Sequence, residues 1–379
     1  MTMISRTQIF ICLIFATLVW LIQLTWFGLP AGGNDVDSNF RATHVYKHKQ
    51  ADTHSKLEQC TDGQMKTIGE QLKFDTCVGH NWYQCGISEA TRCPKNKWLE
   101  ESYKDGLPDF LGVVVGCNKA YDAIDTARMG MSNPAFDTLK WSVIMESLGM
   151  HDGGVCRQKS NPMFVLKPEV DISKGEMHCI EPMPTTVQNL KSGASAMNLA
   201  KEGFIIHHAA ISSVDGLIAF PKAGKGGKVG AENMGMNECK KPNMEKWCED
   251  VPMFSLQSYV DTYVKSNGPI NILSIDVEGF DFDVLFGAGS ALDRTEYLEF
   301  EFHIFGTWAT HHLSDAVDLL DGKGFNCYWA GTGKLWRING CMHDIYSTWH
   351  GWSNVACVHR SHVSLSKTME RIFLETLAA

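Results

Sequence analysis

The chain lacks several features that would assign it to a familiar class. It has no excess of basic residues, because 34 Lys and Arg face 43 Asp and Glu for a net charge of −9, and this balance speaks against a nucleic-acid-binding protein. It has no long run of like charges, which speaks against a disordered tail of the usual kind. It has no Asn-x-Ser/Thr sequon, so N-glycosylation does not indicate its compartment. What it has is 379 residues, 44% of them hydrophobic, enough for one large domain with insertions or for two domains.

Charged residues are missing between residues 9 and 29. About 20 apolar residues form a helix of roughly 30 Å, so this segment is long enough to cross a bilayer. We predict a signal-anchor at residues 1–30, with a cleaved secretory signal as the alternative. Arg6 precedes the span and Asp35 follows it, which favours a cytoplasmic N-terminus. The expected protein is therefore a single-pass type II membrane protein of the secretory pathway, in the Golgi, with its catalytic part in the lumen.

The cysteines favour the same compartment. Of the 13 cysteines, four crowd into a short polar stretch: Cys60, Cys77, Cys85 and Cys93. None of the four forms a CxxC pair, so disulfides in an oxidising compartment are favoured over a zinc site, although four cysteines allow three connectivities. Two plausible local bridges are Cys239–Cys248 and Cys327–Cys341. Cys117 and Cys179 lie at the ends of predicted strands and are expected to be free.

Composition divides the rest of the chain. Residues 31–58 are polar and have no apolar periodicity, which is typical of a stem. A Cys-rich cap is expected at 59–105. From Asp109 onward, predicted strands and helices alternate, which indicates an α/β sheet with crossover helices. This domain is predicted at 106–362 and is followed by a C-terminal helical tail at 363–379.

The stretch from Ile270 to Gly289 is the most informative. An apolar run leads into Asp276-Val277-Glu278-Gly279 and then into apolar residues at helical spacing, so the pattern predicts a buried strand, a tight turn and a helix. In an open α/β sheet the carboxyl ends of the strands form the ligand crevice. Asp276 and Glu278 are therefore expected where chemistry would occur.

Two other predicted strands end in residues that suit a nucleotide-like ligand. Residues 111–115 lead into a turn at Gly116 and Asn118, where a glycine lets the backbone approach such a ligand, although simple core packing explains the turn equally well. The strand at 177–180 ends at Glu181, and an acid at this position binds ribose hydroxyls in nucleotide-binding sheets. Glu181 is thus the expected ribose ligand.

The interval between Gly116 and Glu181 is longer than the roughly 20 positions usual between the glycines and the acid, so an insertion is expected. Within it, residues 132–134 (Ser-Asn-Pro) are predicted to cap a helix. The apolar stripe of this helix is expected to pack against the core: Phe136, Leu139, Val143 and Leu148.

Five segments in this order resemble the FkbM family of S-adenosylmethionine-dependent methyltransferases: GCNKAYDA, CIEP, FIIHHAAISSVDG, NILSIDVEGFDFDVLFGA and YLEFEFH. The Asp-x-Glu-Gly strand end, followed by a hydrophobic helix and Gly-Ala, is the specific part, and the resemblance extends over about residues 109–360. It implies a class I methyltransferase fold, with a Rossmann-like, mostly parallel sheet that has one antiparallel strand and flanking helices. It also implies S-adenosyl-L-methionine as cofactor and, typically, O-methylation of a sugar hydroxyl.

The same resemblance implies roles for individual residues. Gly116 and Asn118 would approach the methionine part of the cofactor, and Glu181 would bind its ribose. Ala209 and Ala210 would lie near the adenine. The chain departs from the family's first motif, and these departures bear on cofactor affinity: Val114 replaces an acid and Ala120 replaces a glycine.

The expected chemistry requires few residues. Methyl transfer from a sulfonium is an in-line displacement, so positioning of the acceptor oxygen supplies most of the acceleration. The acceptor hydroxyl must also lose a proton to a carboxylate or imidazole within reach. Asp276 is the first choice for this base, with Glu301 and His303 in reserve, while Glu278 would face the methyl donor. A divalent metal held by Asp276, Glu278 and His303 is an alternative by ligand type, and a satisfied core histidine is an equal alternative for His303.

The predicted function is O-methylation of a sugar hydroxyl on a glycan or glycoconjugate in the secretory lumen. One alternative is a Golgi-type glycosyltransferase with Asp281-Phe282-Asp283 as its DxD motif, although a metal-binding DxD belongs at a strand end. The other is a catalytically inactive lumenal binding protein with the methyltransferase fold. The Gly- and Lys-rich loop at 221–248 either meets an anionic glycan through Lys222, Lys225 and Lys228 or is a plain loop. Several tryptophans suit either sugar stacking or the core: Trp308, Trp329, Trp336, Trp349 and Trp352.

Overall fold

The computed structural model describes residues 57–75, 96–150, 174–224, 229–230, 237–303, 305–348 and 353–379. All of these belong to one compact unit, His54–Ala379. The predicted membrane span lies outside the described residues. Among those that are described, no helix is long and apolar enough to cross a membrane.

Strands and helices alternate through this unit. The strands are β1 (Phe110–Val115), β2 (Gly175–Glu181), β3 (Phe204–His208), β4 (Ala210–Ser212), β5 (Gly216–Pro221), β6 (Cys248–Ser255), β7 (Ile272–Ile275), β8 (Tyr297–Phe302), β9 (Phe325–Ala330), β10 (Leu335–Arg337) and β11 (Ser353–His359). The α-helices are α1 (Asp62–Asp75), α2 (Lys97–Tyr103), α3 (Tyr121–Gly130), α4 (Thr138–Ser147), α5 (Pro184–Ala196), α6 (Leu256–Tyr263), α7 (Asp281–Phe286), α8 (Leu313–Gly322), α9 (Asp344–Thr348) and α10 (Val363–Ala378). Short 3-10 helices span Leu199–Glu202, Glu238–Lys240, Glu245–Trp247, Gly289–Arg294 and Gly306–Ala309.

The central sheet has eight strands in the order β10-β9-β11-β8-β7-β1-β2-β3, and a second sheet has the order β4-β6-β5. Strands β3, β2, β1, β7 and β8 pair in parallel. Strand β11 runs antiparallel to both β8 and β9, and β10 adds an antiparallel edge to β9. This mixed α/β architecture with a mostly parallel sheet fits a methyltransferase fold. The edge strand β10 was not predicted.

Strand β1 marks the point where the strand order reverses. The chain passes from β1 to β2 and β3 on one side, then returns to β7 and β8 on the other. Every residue of β1 is buried, as expected for a strand covered on both faces. In sheets of this kind the ligand crevice lies at the carboxyl ends of the strands beside this reversal.

The described parts of the predicted cap and tail share the core of the sheet. Buried side chains come from α1 (Ile68, Leu72), α2 (Trp98, Leu99) and α10 (Met369, Phe373). Hydrogen bonds add to this packing, because Gln71 Nε2 donates to the Thr376 oxygen at 2.7 Å and Trp98 Nε1 donates to Tyr297 Oη at 3.1 Å. These segments are therefore part of the same core as the sheet.

The insertion between β1 and β2 contains α3 and α4. The sequence prediction for α4 is wrong in its start, since Asp137, and not the segment 132–134, caps the helix. The predicted stripe is wrong at two of its four residues, because Leu139 and Val143 are exposed and the helix buries Trp141 instead. The other two, Phe136 and Leu148, pack on the core as predicted. Phe136 precedes the helix, so the helical spacing counted from it does not give the buried face of α4.

Four disulfides join described cysteines: Cys60–Cys341, Cys117–Cys179, Cys239–Cys248 and Cys327–Cys357. The predicted Cys239–Cys248 bridge is confirmed. Cys60 is bonded as predicted, but its partner lies far along the chain and not in the local cluster. The remaining members of that cluster lie outside the described residues: Cys77, Cys85 and Cys93.

Two disulfide predictions are wrong for reasons of strand pairing. Cys327 faces Cys357 directly across β9 and β11, so it bonds there and not to Cys341. Cys117 and Cys179 were expected to be free, but β1 and β2 are neighbours and the two Cα atoms lie 5.3 Å apart. That separation is within the usual range for a disulfide.

Candidate active site

The carboxyl ends of β2, β1 and β7 lie side by side. Val115, the last residue of β1, pairs with Ile180 on one side and with Ile275 on the other. The residues that follow these positions therefore meet at one edge of the sheet. They include the predicted site residues Gly116, Glu181 and Asp276.

The turn after β1 is fixed by backbone contacts to β2. The amides of Gly116 and Cys117 both donate to the Ile180 oxygen, at 3.0 and 2.9 Å. Gly116 has a φ of +81°, and a Cβ at this position would overlap the main-chain oxygen of Asp276. Glycine is therefore required here both by its left-handed backbone and by the close approach of the neighbouring strand end.

Glu181 lies under this turn. Its Oε2 accepts from the Asn118 amide and its Oε1 accepts from the Met183 amide, each at 2.8 Å. Burial raises the pKa of Glu181 to about 7 despite these two bonds, and the charge of Glu278 raises it further. A carboxylate has about four acceptor positions, so about two remain for hydroxyl groups of a ligand.

The turn after β7 brings Asp276 and Glu278 to the same edge. The Asp276 amide donates to the Val115 oxygen at 2.9 Å, which ties the start of this turn to β1. Glu278 and Gly279 have φ values of +56° and +94°. A left-handed glutamate is uncommon, and such residues cluster at functional sites. Of the predicted acids, Asp276 is exposed and Glu278 is half-buried.

The loop after β8 packs on this turn. A Cβ on Gly279 would come within 2.6 Å of the Phe305 oxygen, so no side chain fits there. The Thr307 amide donates to the Gly279 oxygen at 2.8 Å. These contacts hold the exposed Phe305 beside the Glu278–Gly279 turn.

Glu301 and His303 are both buried near the end of β8. His303 Nε2 lies 3.5 Å from Glu301 Oε2, while His303 Nδ1 accepts from the Phe305 amide at 3.0 Å. That bond places the imidazole proton on Nε2, facing Glu301. Burial lowers the pKa of His303 to about 4, so the ring is neutral at physiological pH. Because its acceptor nitrogen is already used, His303 is less suited than Glu301 to take a proton.

Asp281 was assigned only to the alternative DxD motif, yet it belongs to this site. It is fully buried under the turn, its Oδ1 accepts from the Glu301 amide at 3.4 Å, and its Oδ2 has no hydrogen-bond partner among the described residues. Burial raises the pKa of Asp281 to about 7, and Glu278 raises it further. Asp283 is only half-buried on another side of α7, so the two aspartates do not share a face for a metal.

Ala209 and Ala210 lie next to Glu181. The Ala209 amide donates to the main-chain oxygen of Glu181 at 3.3 Å, and Glu181 pairs with His208 at the end of β3. Both alanines are buried where the central sheet passes into the smaller one. All nine predicted site residues thus lie at or near one edge of the sheet.

The site is acidic. Glu278 raises the pKa of both Glu181 and Asp281, which places each of these two carboxyls within electrostatic range of Glu278. In the part of the chain that is described, no three His, Cys, Asp or Glu side chains converge as a metal site requires. A set of acids with spare acceptor positions suits a ligand that carries positive charge and hydroxyl groups.

Comparison with known proteins agrees with this geometry. Residues 149–327 match the model of the methyltransferase FkbM domain. The match includes Glu181 and the β7 and β8 strand ends, and it begins after the Gly116 turn. No curated protein shows significant similarity to the chain. The match supports methyl transfer as the general activity, and it confirms over residues 149–327 the FkbM methyltransferase family that the sequence predicted.

Proposed function

We propose that the protein is an S-adenosylmethionine-dependent methyltransferase that O-methylates a sugar hydroxyl on a glycan or glycoconjugate. The observation that carries this proposal is the acidic edge formed by Glu181, Glu278 and Asp281 at the reversal of the strand order. Like-charged carboxyls raise one another's pKa, and a cationic ligand relieves that repulsion. A sulfonium cofactor matches this field, whereas the anionic pyrophosphate of a nucleotide sugar does not.

The residues at the edge fit the parts of this cofactor. The spare acceptor positions of Glu181 suit the two ribose hydroxyls, and the half-buried turn at Gly116 and Asn118 suits the methionine part. The small buried side chains of Ala209 and Ala210 leave room for an adenine ring. When bound, the cofactor supplies an electrophilic methyl group.

Asp276 is the proposed base. Its amide is tied to β1 while its side chain is exposed, so it can approach an acceptor from solvent. With the cofactor bound, Asp276 would be placed to take the proton that an acceptor hydroxyl loses when the methyl group passes to its oxygen and the cofactor leaves as the neutral thioether. Glu278, which is held in a left-handed turn, stabilises positive charge at the methyl donor. Glu301 is the reserve base.

An exposed aromatic ring supports a sugar acceptor. The described tryptophans of the C-terminal region are buried and belong to the core: Trp308, Trp329 and Trp336. Trp349 and Trp352 lie outside the described residues, as do Lys225 and Lys228. Phe305, in contrast, is 60% exposed beside the Glu278–Gly279 turn. The apolar face of a sugar ring stacks well on such a ring.

We propose a lumenal location with the membrane contacted through residues 9–29. The disulfides among the described cysteines support an oxidising compartment. In sealed microsomes, external protease should leave the fragment after residue 30 intact. Digestion of that fragment without detergent would place the catalytic part in the cytosol.

Calorimetry on the full-length protein in detergent tests the cofactor. We expect S-adenosylmethionine to bind and nucleotide sugars not to bind. Transfer of a labelled methyl group to a panel of methyl glycosides then tests the acceptor class. Binding of a nucleotide sugar in place of S-adenosylmethionine would favour the glycosyltransferase, and binding of neither would favour a binding protein with this fold.

A further inference from the structure

The Cys117–Cys179 disulfide lies within the candidate cofactor site. Cys117 stands between Gly116 and Asn118 in the turn after β1, and Cys179 precedes Glu181 by two residues in β2. Both cysteines are buried. The bond therefore joins the two segments that would contact the methionine and ribose parts of the cofactor.

Apart from this bond, three hydrogen bonds tie the turn to the end of β2. Two of them run from Gly116 and Cys117 to the Ile180 oxygen, and the third runs from the Asn118 amide to Glu181 Oε2. The third bond depends on a buried carboxyl that also has to serve the ligand. Loss or redirection of that contact would release the Asn118 amide from β2, and the turn would then keep its contact to α4, where Trp141 Nε1 donates to the Lys119 oxygen at 2.8 Å.

The turn also has a backbone conformation that an unrestrained chain would leave. Gly116, Asn118 and Ala120 all have positive φ, of +81°, +44° and +59°. Asparagine tolerates this region, but alanine adopts it rarely. Three left-handed residues within five positions persist only where the surrounding structure determines them. The covalent bond at Cys117 lies between the first two of these residues.

We propose that the Cys117–Cys179 disulfide is a positioning element of the cofactor site, which holds the Gly116–Asn118 turn against Glu181. It makes no contact with the reacting atoms. It keeps the turn in the binding-competent conformation, so that cofactor binding does not have to order it. The effect on affinity rests on the proposed function, whereas the order of the turn does not.

A disulfide that only stabilises the pairing of two strands should not change cofactor affinity when it is removed. The chain offers a matched control of this kind. Cys327–Cys357 is also a buried disulfide between neighbouring strands of the same sheet, with a Cα separation of 4.1 Å. It joins β9 to β11, away from the β1, β2 and β7 strand ends. Removal of either disulfide should lower the stability of the protein, but only removal of Cys117–Cys179 should lower its affinity for the cofactor.

The test compares the full-length variants C117A/C179A and C327A/C357A with the native protein. If the turn is competent in about a tenth of the molecules without its bond, the affinity for S-adenosylmethionine falls about tenfold. Calorimetry below both unfolding temperatures should show this loss for C117A/C179A and native affinity for C327A/C357A. Unchanged affinity in C117A/C179A, or an equal loss in both variants, would overturn the positioning role. If C117A/C179A does not fold, C117A/C179V refills part of the buried volume with a residue that suits a strand.

Amide hydrogen exchange provides a readout that does not need the cofactor. Amides 116–118 should be protected in the native protein and in C327A/C357A, and should exchange at least about tenfold faster in C117A/C179A. Equal protection in all three proteins would contradict the proposal. Native protein that binds no S-adenosylmethionine would contradict the proposed function instead, and the exchange rates would still decide whether the bond orders the turn.

Discussion

Cofactor affinity should depend on pH through Glu181. Burial raises the pKa of this carboxyl to about 7, so in the free protein at pH 6 most molecules carry a proton on it. Ribose hydroxyls donate hydrogen bonds, and they bind the ionised carboxylate better than the neutral acid. Binding should therefore favour the charged form, lower the pKa of Glu181 and release a proton.

The direction and size of the effect follow from this linkage. Below about pH 7 the cofactor has to displace a proton, so the affinity should fall by up to about tenfold for each unit of pH, or about 1.4 kcal/mol. Above about pH 7 Glu181 is already ionised, and the affinity should level off. The stability of the free protein changes in the opposite sense, because a carboxyl whose pKa is raised by folding contributes most at low pH and less as pH rises through 7.

Calorimetric titration at pH 6, 7 and 8, in buffers that differ in ionisation enthalpy, measures both the affinity and the released proton. Glu181→Gln should weaken binding at pH 8 and flatten the pH dependence. Glu299→Gln is a control, since Glu299 is a half-buried acid whose pKa is raised by burial but which accepts hydrogen bonds from Ser274 and Tyr297 in the sheet. Affinity of the native protein that does not change with pH, or a Glu181→Gln variant with the native slope, would refute the ribose assignment.

Four further outcomes are expected. Asp276→Asn should reduce turnover by at least about a hundredfold with cofactor affinity retained, and a fully active variant in a labelled-methyl assay would exclude it as the base. Asp281→Ala should lower the free energy of unfolding in urea by about 1–3 kcal/mol because a buried amide loses its acceptor, whereas Asp281→Asn should cost less. Burial lowers the pKa of His207 to about 4, so as pH falls below 6.5 the histidine is protonated in the unfolded chain before it is protonated in the folded protein. Thermal stability should therefore fall from pH 6.5 towards 4, and it should fall less steeply in His207→Gln. Phe305→Ala should raise KM for a sugar acceptor and spare cofactor affinity, unlike the exposed control Phe286→Ala, and equal KM values would remove Phe305 from the acceptor site.

The parts of the site that could be predicted are those set by local sequence. The stretch from Ile270 to Gly289 carries its own strand, turn and helix, because the apolar run, the glycine and the helical spacing follow one another directly. Its two acids could be placed at a strand end without knowing which strands pair. Glu181 could be placed for the same reason.

The parts that could not be predicted depend on which strands are neighbours. Cys117 and Cys179 were expected to be free because they lie at buried strand ends, yet pairing of those two strands is what brings them together. Asp281 was assigned to a DxD motif because its spacing from Asp283 is visible in the sequence. The burial of its carboxyl is not visible there, since burial depends on the packing of α7. A buried acid at the start of a helix that follows an Asp-x-Glu-Gly turn could have been suspected from the helical period alone.

The departures from the family's first motif change the site less than the sequence suggests. Ala120 keeps a φ of +59°, the left-handed backbone that the family's glycine would favour, so the substitution adds a cost of about 1 kcal/mol and leaves the turn in place. Val114 is buried opposite Cys179, which makes this position part of the packing beneath the turn. The negative charge lost at Val114 is still available from Glu181 and Glu278 at the same edge. The proposed cationic cofactor would therefore meet acids that the chain retains, at a turn that keeps its left-handed backbone without its last glycine.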